Sequence, residues 1–491
     1  MASLFPPGSY TLLSPAPSDT SVETSLPSLL PASALPNAKI LQISAYESID
    51  FDYASTHSAT CLVNSYVIRK ALIRKHFLSA TVDNWVAKHP QSVLGTHVKR
   101  SEAFEVDFAE FLDDALVEAW DLNASLGGNA VLLEDGGGGG EEEGVAEREG
   151  GDEDTGTGTG TGEVVRVGDG GGCALTGKGG KELEWWILKP SMSDRGQGIR
   201  LFCTMEQLQG IFDEWEPEFE EDEEEDGGGA AVTQGAFGDH NDESGADEEE
   251  GDLDRIMASH LRHFVAQPYI HPPLLLPELD NRKFHVRVYV LAVGSMRVYV
   301  YKEMLALFAA KPYQPPVVAS AGDGEGRDRA DEVEIDLDAH LTNTCLQGDD
   351  TAAKSNSVHR FWDLPLPQET ADNIFEQICA VTGELFEAAA RGMMIHFQPL
   401  ECAFEVYGLD FLVHAAGTAW LLEVNAFPDF KQTGDLKGIV AGFWAGVLRL
   451  AVIPFVRGSE HDSGDEDHVT LGSDEMVMVK DVDLGRRWGA S

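Results

Sequence analysis

The stretch Phe404–Phe430, FEVYGLDFLVHAAGTAWLLEVNAFPDF, constrains the fold most. Residues 407–414 alternate and then run apolar, Ala416-Gly417 breaks the run, and 418–425 resumes it, which predicts two strands and a tight turn. With Ala416-Gly417 as the loop, Asp410 falls opposite Glu423. Asn425, two residues further on, shares that face. Two carboxylates and one amide oxygen form a hard-oxygen set suited to Mg²⁺, which shares its shell with water and phosphates. A plain hairpin with polar residues at a sheet edge is the alternative.

Composition limits the rest. The 491-residue chain has room for two or three domains and carries a net charge of −49. Residues 134–154 hold ten acids and one Arg, 213–254 hold twenty acids and no base, and 460–483 hold nine acids and one Lys. The acidity therefore concentrates in solvated tracts, and it argues against direct nucleic-acid binding. Cysteines 61, 173, 203, 345, 379 and 402 show no zinc spacing, so a reduced, intracellular protein without structural zinc is expected. No secretory signal is read at the N-terminus. The apolar stretch 439–456, interrupted by Arg449 and Pro454, reads as a buried helix and not a membrane span.

In order, 1–37 is Ser/Pro-rich and expected to be disordered, and 38–126 forms an N-terminal domain. Within it, 39–43 reads as a strand. Residues 61–77 run into a helix with Val67, Ala71, Leu72 and Phe77 inward and Arg69, Lys70, Arg74 and Lys75 outward. That outward group is either a solvated face or a dock for an acidic tail. Residues 103–122 read as an amphipathic helix with Phe104, Phe108, Phe111, Leu112, Ala115, Leu116 and Ala119 in the core. A Gly-rich acidic insert spans 127–180. The segment 181–212 contains a buried strand ending at Lys189-Pro190, then the glycine loop 191–199, where backbone N–H groups and Lys189 could meet phosphate. An acidic insert fills 213–254. In the last folded segment, 255–457, residues 264–270 read as a strand and 320–331 as a disordered loop. Residues 369–392 read as a helix with Ile374, Ile378, Val381, Leu385 and Ala389 inside. Residues 283–303, KFHVRVYVLAVGSMRVYVYKE, alternate cleanly and place Lys283, His285 and Arg287 on one face. With Gly294-Ser295 as the turn, Arg287 faces Lys302. Either an anion lies between these cations or the side chains splay into water. An acidic tail occupies 458–491.

Together these pieces resemble the tubulin–tyrosine ligase family, which has an ATP-grasp fold of the α/β (α+β) class. The matching segments are Trp186–Pro190 with Arg195-Gly196-Gln197-Gly198-Ile199, then Gln267–Ile270, Lys283–Leu291, Tyr301–Phe308, His340–Asn343, Gly408–Leu412 and Leu421–Asn425, in the family's order. Tyr66–His76 and Ala426–Gly434 resemble a fungal branch associated with processing bodies in the cytoplasm. The resemblance implies ATP- and Mg²⁺-dependent ligation of a free amino acid to a protein acceptor with a free carboxylate, tubulin being one candidate, through an acyl phosphate. It implies that Lys189, Arg195, Gly196, Gly198 and Ile199 hold phosphates and that Gln267, Pro268, Tyr269 and Ile270 form an adenine hinge. Lys283, His285, Thr342 and Asn343 would contact the nucleotide. Asp410, Glu423 and Asn425 would bind the metal, Arg287 would meet phosphate or the reacting carboxylate, and Lys302 and Lys437 would meet the amino acid. His285 stands where the family has Asp, and Lys302 where it has Arg, which loses a bidentate fork. An ATP-binding interaction protein, catalytically weak or inactive, is the competing expectation. A monomer with no membrane contact is expected.

Overall fold

The computed structural model describes residues 11–13, 39–136, 183–191, 196–216, 262–317, 335–342, 357–430, 436–457 and 475–484. Strands β1 (Thr11–Leu13), β2 (Ile40–Gln42) and β3 (Cys61–Val63) form a small parallel sheet. Helix α1 (Phe51–Thr56) starts at Asp50, whose carboxylate accepts from the Tyr53 N–H. Helices α2 (Lys70–Ile73) and α3 (Lys75–Lys88) follow.

A four-stranded antiparallel sheet of order β4-β7-β5-β6 comes next, built from β4 (Glu102–Glu105), β5 (Trp186–Pro190), β6 (Arg200–Phe202) and β7 (His263–Pro268). Helices α4 (Trp120–Gly136) and α5 (Met205–Glu214) accompany it. Leu122, Leu126, Leu208 and Phe212 pack with Trp186, Phe202 and Phe264 into one apolar cluster.

The large sheet runs β11-β10-β8-β12-β13, with β9 on β8 and β14 on β9, and every pairing in it is antiparallel. Its strands are β8 (Arg282–Val293), β9 (Arg297–Tyr301), β10 (Leu305–Pro312), β11 (Val358–Arg360), β12 (Phe404–Val413), β13 (Ala419–Ala426) and β14 (Met476–Asp481). All ten residues of β12 are buried, because helices cover both faces. On one face lies α6 (Gln368–Gly392), whose Ile374, Ile378, Val381, Leu385 and Ala389 are fully buried at helical spacing, as the sequence predicts. On the other lies α7 (Leu436–Val447), continued by a π-helical turn and Ile453–Arg457, with Ile439, Phe443, Val447 and Val452 against the sheet. This 436–456 stretch is the one helix among the described residues long and apolar enough to cross a membrane, and 39% of its apolar window is buried.

Several expectations are corrected. Residues 103–122 are not one helix. Ala103↔Val265 and Phe104↔Phe264 pair β4 to β7, and Phe108 and Phe111 are 42% and 48% exposed. Strand pairing with a distant partner overrides the local helical period. The insert begins later than 127: α4 runs to Gly136, and the Asn129 amide donates to the Glu184 and Cys203 carbonyls. The segments read as disordered ends contribute β1 and β14. Met476 is buried between β9 and α7, and Val482 is buried as well, so short apolar positions inside an acidic stretch suffice for pairing. The 320–331 loop and the 213–254 insert lie outside the described residues, apart from the start of the insert at 213–216.

The Arg69–Lys75 face is solvated only in part: Lys70 is exposed, whereas Arg69 and Lys75 reach acidic partners. Arg69 pairs with the fully buried Glu405 at 2.5 Å, and its guanidinium sits 4.2 Å from the Tyr46 ring and 4.9 Å from that of Phe427. Glu405 also accepts from Ser65 Oγ, the Tyr66 N–H and Tyr407 Oη. The N-terminal domain is thus fastened to β12 by a buried ion pair.

Candidate active site

The cleft lies between the four-stranded sheet and the face of the large sheet formed by β8, β12 and β13. The space within and in front of it, open solvent included, is about 890 Å³. The β12–β13 hairpin supplies its floor. Asp410 does face Glu423 across β12 and β13, but not through the expected turn. The loop is His414–Thr418, which shifts Phe411↔Leu421 by one residue, and a bulge at Leu422 shifts the register back. Asn425 Nδ2 lies 3.2 Å from Asp410 Oδ2 and 3.3 Å from Glu423 Oε1, so the three side chains converge.

Two buried amines face this trio. Lys189 on β5 donates to Gln267 Oε1 at 2.9 Å, and Lys283 on β8 donates to Tyr269 Oη at 2.9 Å. Burial lowers Lys189 to about 8, partly countered by Glu423. Burial, and then Lys189, lowers Lys283 to about 7. For Glu423, burial acts upward but Lys75 and Lys189 outweigh it and hold the carboxyl down at about 2. Tyr269 bridges to His340 Nδ1 at 2.8 Å, and burial lowers His340 to about 4. His285 donates to or accepts from Thr342 Oγ1 at 2.6 Å, and its pKa is lowered chiefly by burial.

Of the predicted site residues, Lys189, Gly196, Ile199, Gln267, Pro268, Tyr269, Ile270, Lys283, His285, Thr342, Asp410, Glu423 and Asn425 line the cleft. Gly198 lies in the same loop, where Gly196 and Gly198 adopt φ of +83° and +70°, open to glycine at little cost. Arg195 and Asn343 lie outside the described residues. Arg287 does not face Lys302. The β8–β9 register is Val293↔Arg297, pairing stops at Val290↔Val300, and Arg287 lies between Leu305 and Asp410. It grips Asp410 in a bidentate pair, Nε to Oδ1 at 2.5 Å and Nη2 to Oδ2 at 3.0 Å. Lys302 is exposed, 5.5 Å from the Trp362 ring, and Lys437 is exposed on the first turn of α7; neither lines the cleft.

Lys75 is the residue sequence reasoning missed as a site member. It opens α3, lines the cleft, and its Nζ lies 3.6 Å from Glu423 Oε2. Its run of basic neighbours was the only signal, and a helix face does not reveal what packs against it.

The trio fits a magnesium ion. Its donors are two carboxylates and an amide oxygen, all hard, and Glu423 is kept ionised. A site that leaves positions for water and phosphate is what Mg²⁺ requires.

Two antiparallel sheets closing on a slot, with a buried lysine from each and an acid–acid–amide trio on the larger one, define an ATP-grasp protein. The family profile described as Tubulin-tyrosine ligase family matches residues 176–459, and the chain belongs to that family. It is 39% identical to a probable tubulin–tyrosine ligase of Schizosaccharomyces pombe, over 85% of this chain and 84% of the relative. It is also 39% identical to the probable tubulin–tyrosine ligase PBY1 of Saccharomyces cerevisiae, over 87% of this chain but only 48% of that protein. Among solved structures, the C-terminal domain of K. lactis Pby1 shares 30% identity and a TM-score of 0.55, covering 92% of this chain and 90% of that one. That protein is described as an ATP-grasp enzyme interacting with the mRNA decapping enzyme Dcp2. The family and the fold are those of ATP-dependent ligases.

Proposed function

We propose that this protein is an ATP- and Mg²⁺-dependent carboxylate–amine ligase that adds an amino acid to a protein acceptor. The observation that carries this reading is the convergence of Lys189 and Lys283 with Asp410, Glu423 and Asn425 in one cleft. The acceptor carboxylate oxygen attacks the γ-phosphorus and ADP leaves. The amine nitrogen of the amino acid then attacks the acyl carbon, loses a proton, and phosphate departs. Little of this needs covalent help from the protein; positioning and charge neutralisation carry it. Lys189, Lys75 and the Gly196–Ile199 loop hold the triphosphate, and Gln267–Ile270 with Leu412 form the slot for the base. Asp410, Glu423 and Asn425 hold Mg²⁺, which neutralises phosphate charge when bound. Arg287 positions Asp410. Lys302 and Lys437 lie outside this slot, so the amino-acid site we place near them would be formed by residues beyond the nucleotide cleft.

Amino-acid-dependent release of ADP and phosphate from the purified protein, with candidate acceptors including tubulin, is the test. Glu423→Gln should lower it by two orders of magnitude or more. No turnover under any combination, with ATP still bound, would favour the second reading: an ATP-binding interaction protein of cytoplasmic processing bodies. The likeness to a structure whose protein interacts with a decapping enzyme supports that alternative.

A further inference from the structure

His285 stands on β8 opposite Leu412, one diagonal step from Asp410. The residue is 4% exposed and lines the cleft. Thr342 Oγ1 holds its Nδ1 at 2.6 Å, whereas its Nε2 is buried without a hydrogen-bond partner. That Nε2 lies 3.5 Å from Asp410 Oδ1. A buried polar atom with no partner is costly, so a nitrogen left without one in the wall of a cleft points to a ligand. The neighbouring cations are committed elsewhere: Lys283 donates to Tyr269, and Arg287 grips Asp410.

We propose that His285 Nε2 is a nitrogen ligand to the divalent cation held by Asp410, Glu423 and Asn425, so that the site takes a first-row transition ion such as Mn²⁺ better than an all-oxygen site would. The inference rests on the nucleotide-and-metal reading above. Neighbouring ligands of an octahedral ion with bonds of about 2.1 Å stand roughly 3 Å apart. The gap between Nε2 and Asp410 Oδ1 is wider than that by half an ångström. Imidazole is a favourable ligand for first-row ions and a poor one for Mg²⁺. The Thr342 contact supplies the outer support a ligating imidazole needs: with Nδ1 protonated and donating to Oγ1, the lone pair is left on Nε2.

The test uses Mn²⁺ and β,γ-methylene ATP with the full chain. Bound Mn²⁺ is counted by electron paramagnetic resonance, and its ligands are read by electron spin echo modulation in protein carrying ¹⁵N only in histidine. The expected result is a nitrogen coupling that changes with the label, persists in His340→Gln and is lost in His285→Asp. The Mn²⁺-to-Mg²⁺ affinity ratio should also fall about tenfold in His285→Asp. Mn²⁺ bound with no histidine coupling would overturn this inference and leave the nucleotide site standing. Failure of Mn²⁺ and nucleotide to bind at all would overturn both. The labelled wild-type spectrum decides the question even if the variant does not fold.

Discussion

At neutral pH Lys283 sits close to half-charged and Lys189 keeps most of its charge, both lowered because burial costs an ammonium its hydration. Both pKa values fall on folding, from 10.5 to about 8 and about 7. Between those values the unfolded chain holds protons that the folded one has released, so the nucleotide-free protein gains stability as pH rises from 7 towards 10. Below that window the cost of two buried charges is carried in full. A triphosphate between the amines reverses the balance. At pH 8, ATP binding should take up on the order of one proton, measured by calorimetry in buffers of different ionisation enthalpy. Lys283→Met should remove most of that uptake; an unchanged value would exclude the amine as the proton acceptor. Arg69 belongs to the same scale. Arg69→Ala leaves Glu405 charged and unpaired inside the protein, and urea unfolding should register a loss of about 3–5 kcal/mol. Adding Glu405→Gln should return part of it. The cleft residues on strands were legible because alternation assigns side chains to faces. Lys75, the role of Arg69 and the Asp410 partner of Arg287 were not, since each meets a residue more than a hundred positions away.

At the level of elements, α6 was readable residue by residue, because a long helix with one apolar stripe needs no partner to be recognised. Hairpins were harder. In β12–β13 a one-residue error in the turn was undone by the Leu422 bulge; in β8–β9 no bulge intervened, and the inferred Arg287–Lys302 pair failed. Strand β14 was hidden by its acidic surroundings. It is held firmly: Lys480 pairs with Glu387, Tyr301 Oη donates to Glu475, and the Val479 carbonyl lies against Gly383 of α6. A β-carbon on Gly383 would stand 2.8 Å from that carbonyl oxygen. Gly383→Ala should therefore push β14 off α6 and cost about 1–3 kcal/mol in thermal unfolding, despite the better helix propensity of alanine. An unchanged or higher melting temperature would show that the strand can shift without loss.

For the whole molecule, most of the −49 charge resides in tracts outside the described residues. Their field reaches roughly 30 Å at 0.01 M salt and 8 Å at physiological strength. An acidic acceptor should then bind more weakly at low salt than a neutral one. Replacing residues 217–254 with a neutral linker should flatten that salt dependence while leaving ATP affinity unchanged. A salt profile identical to that of the parent chain would remove the tract from any role in acceptor choice.

Because β14 is seated against both α6 and the middle of the long apolar helix, the residues on either side of the acidic stretch 458–474 are anchored in the same body. Lengthening such a closed span is cheap, roughly 0.6 kcal/mol for each doubling. Cutting it is a different matter: one protease nick converts a tethered latch into a free peptide, and its hold on the sheet becomes a question of dilution.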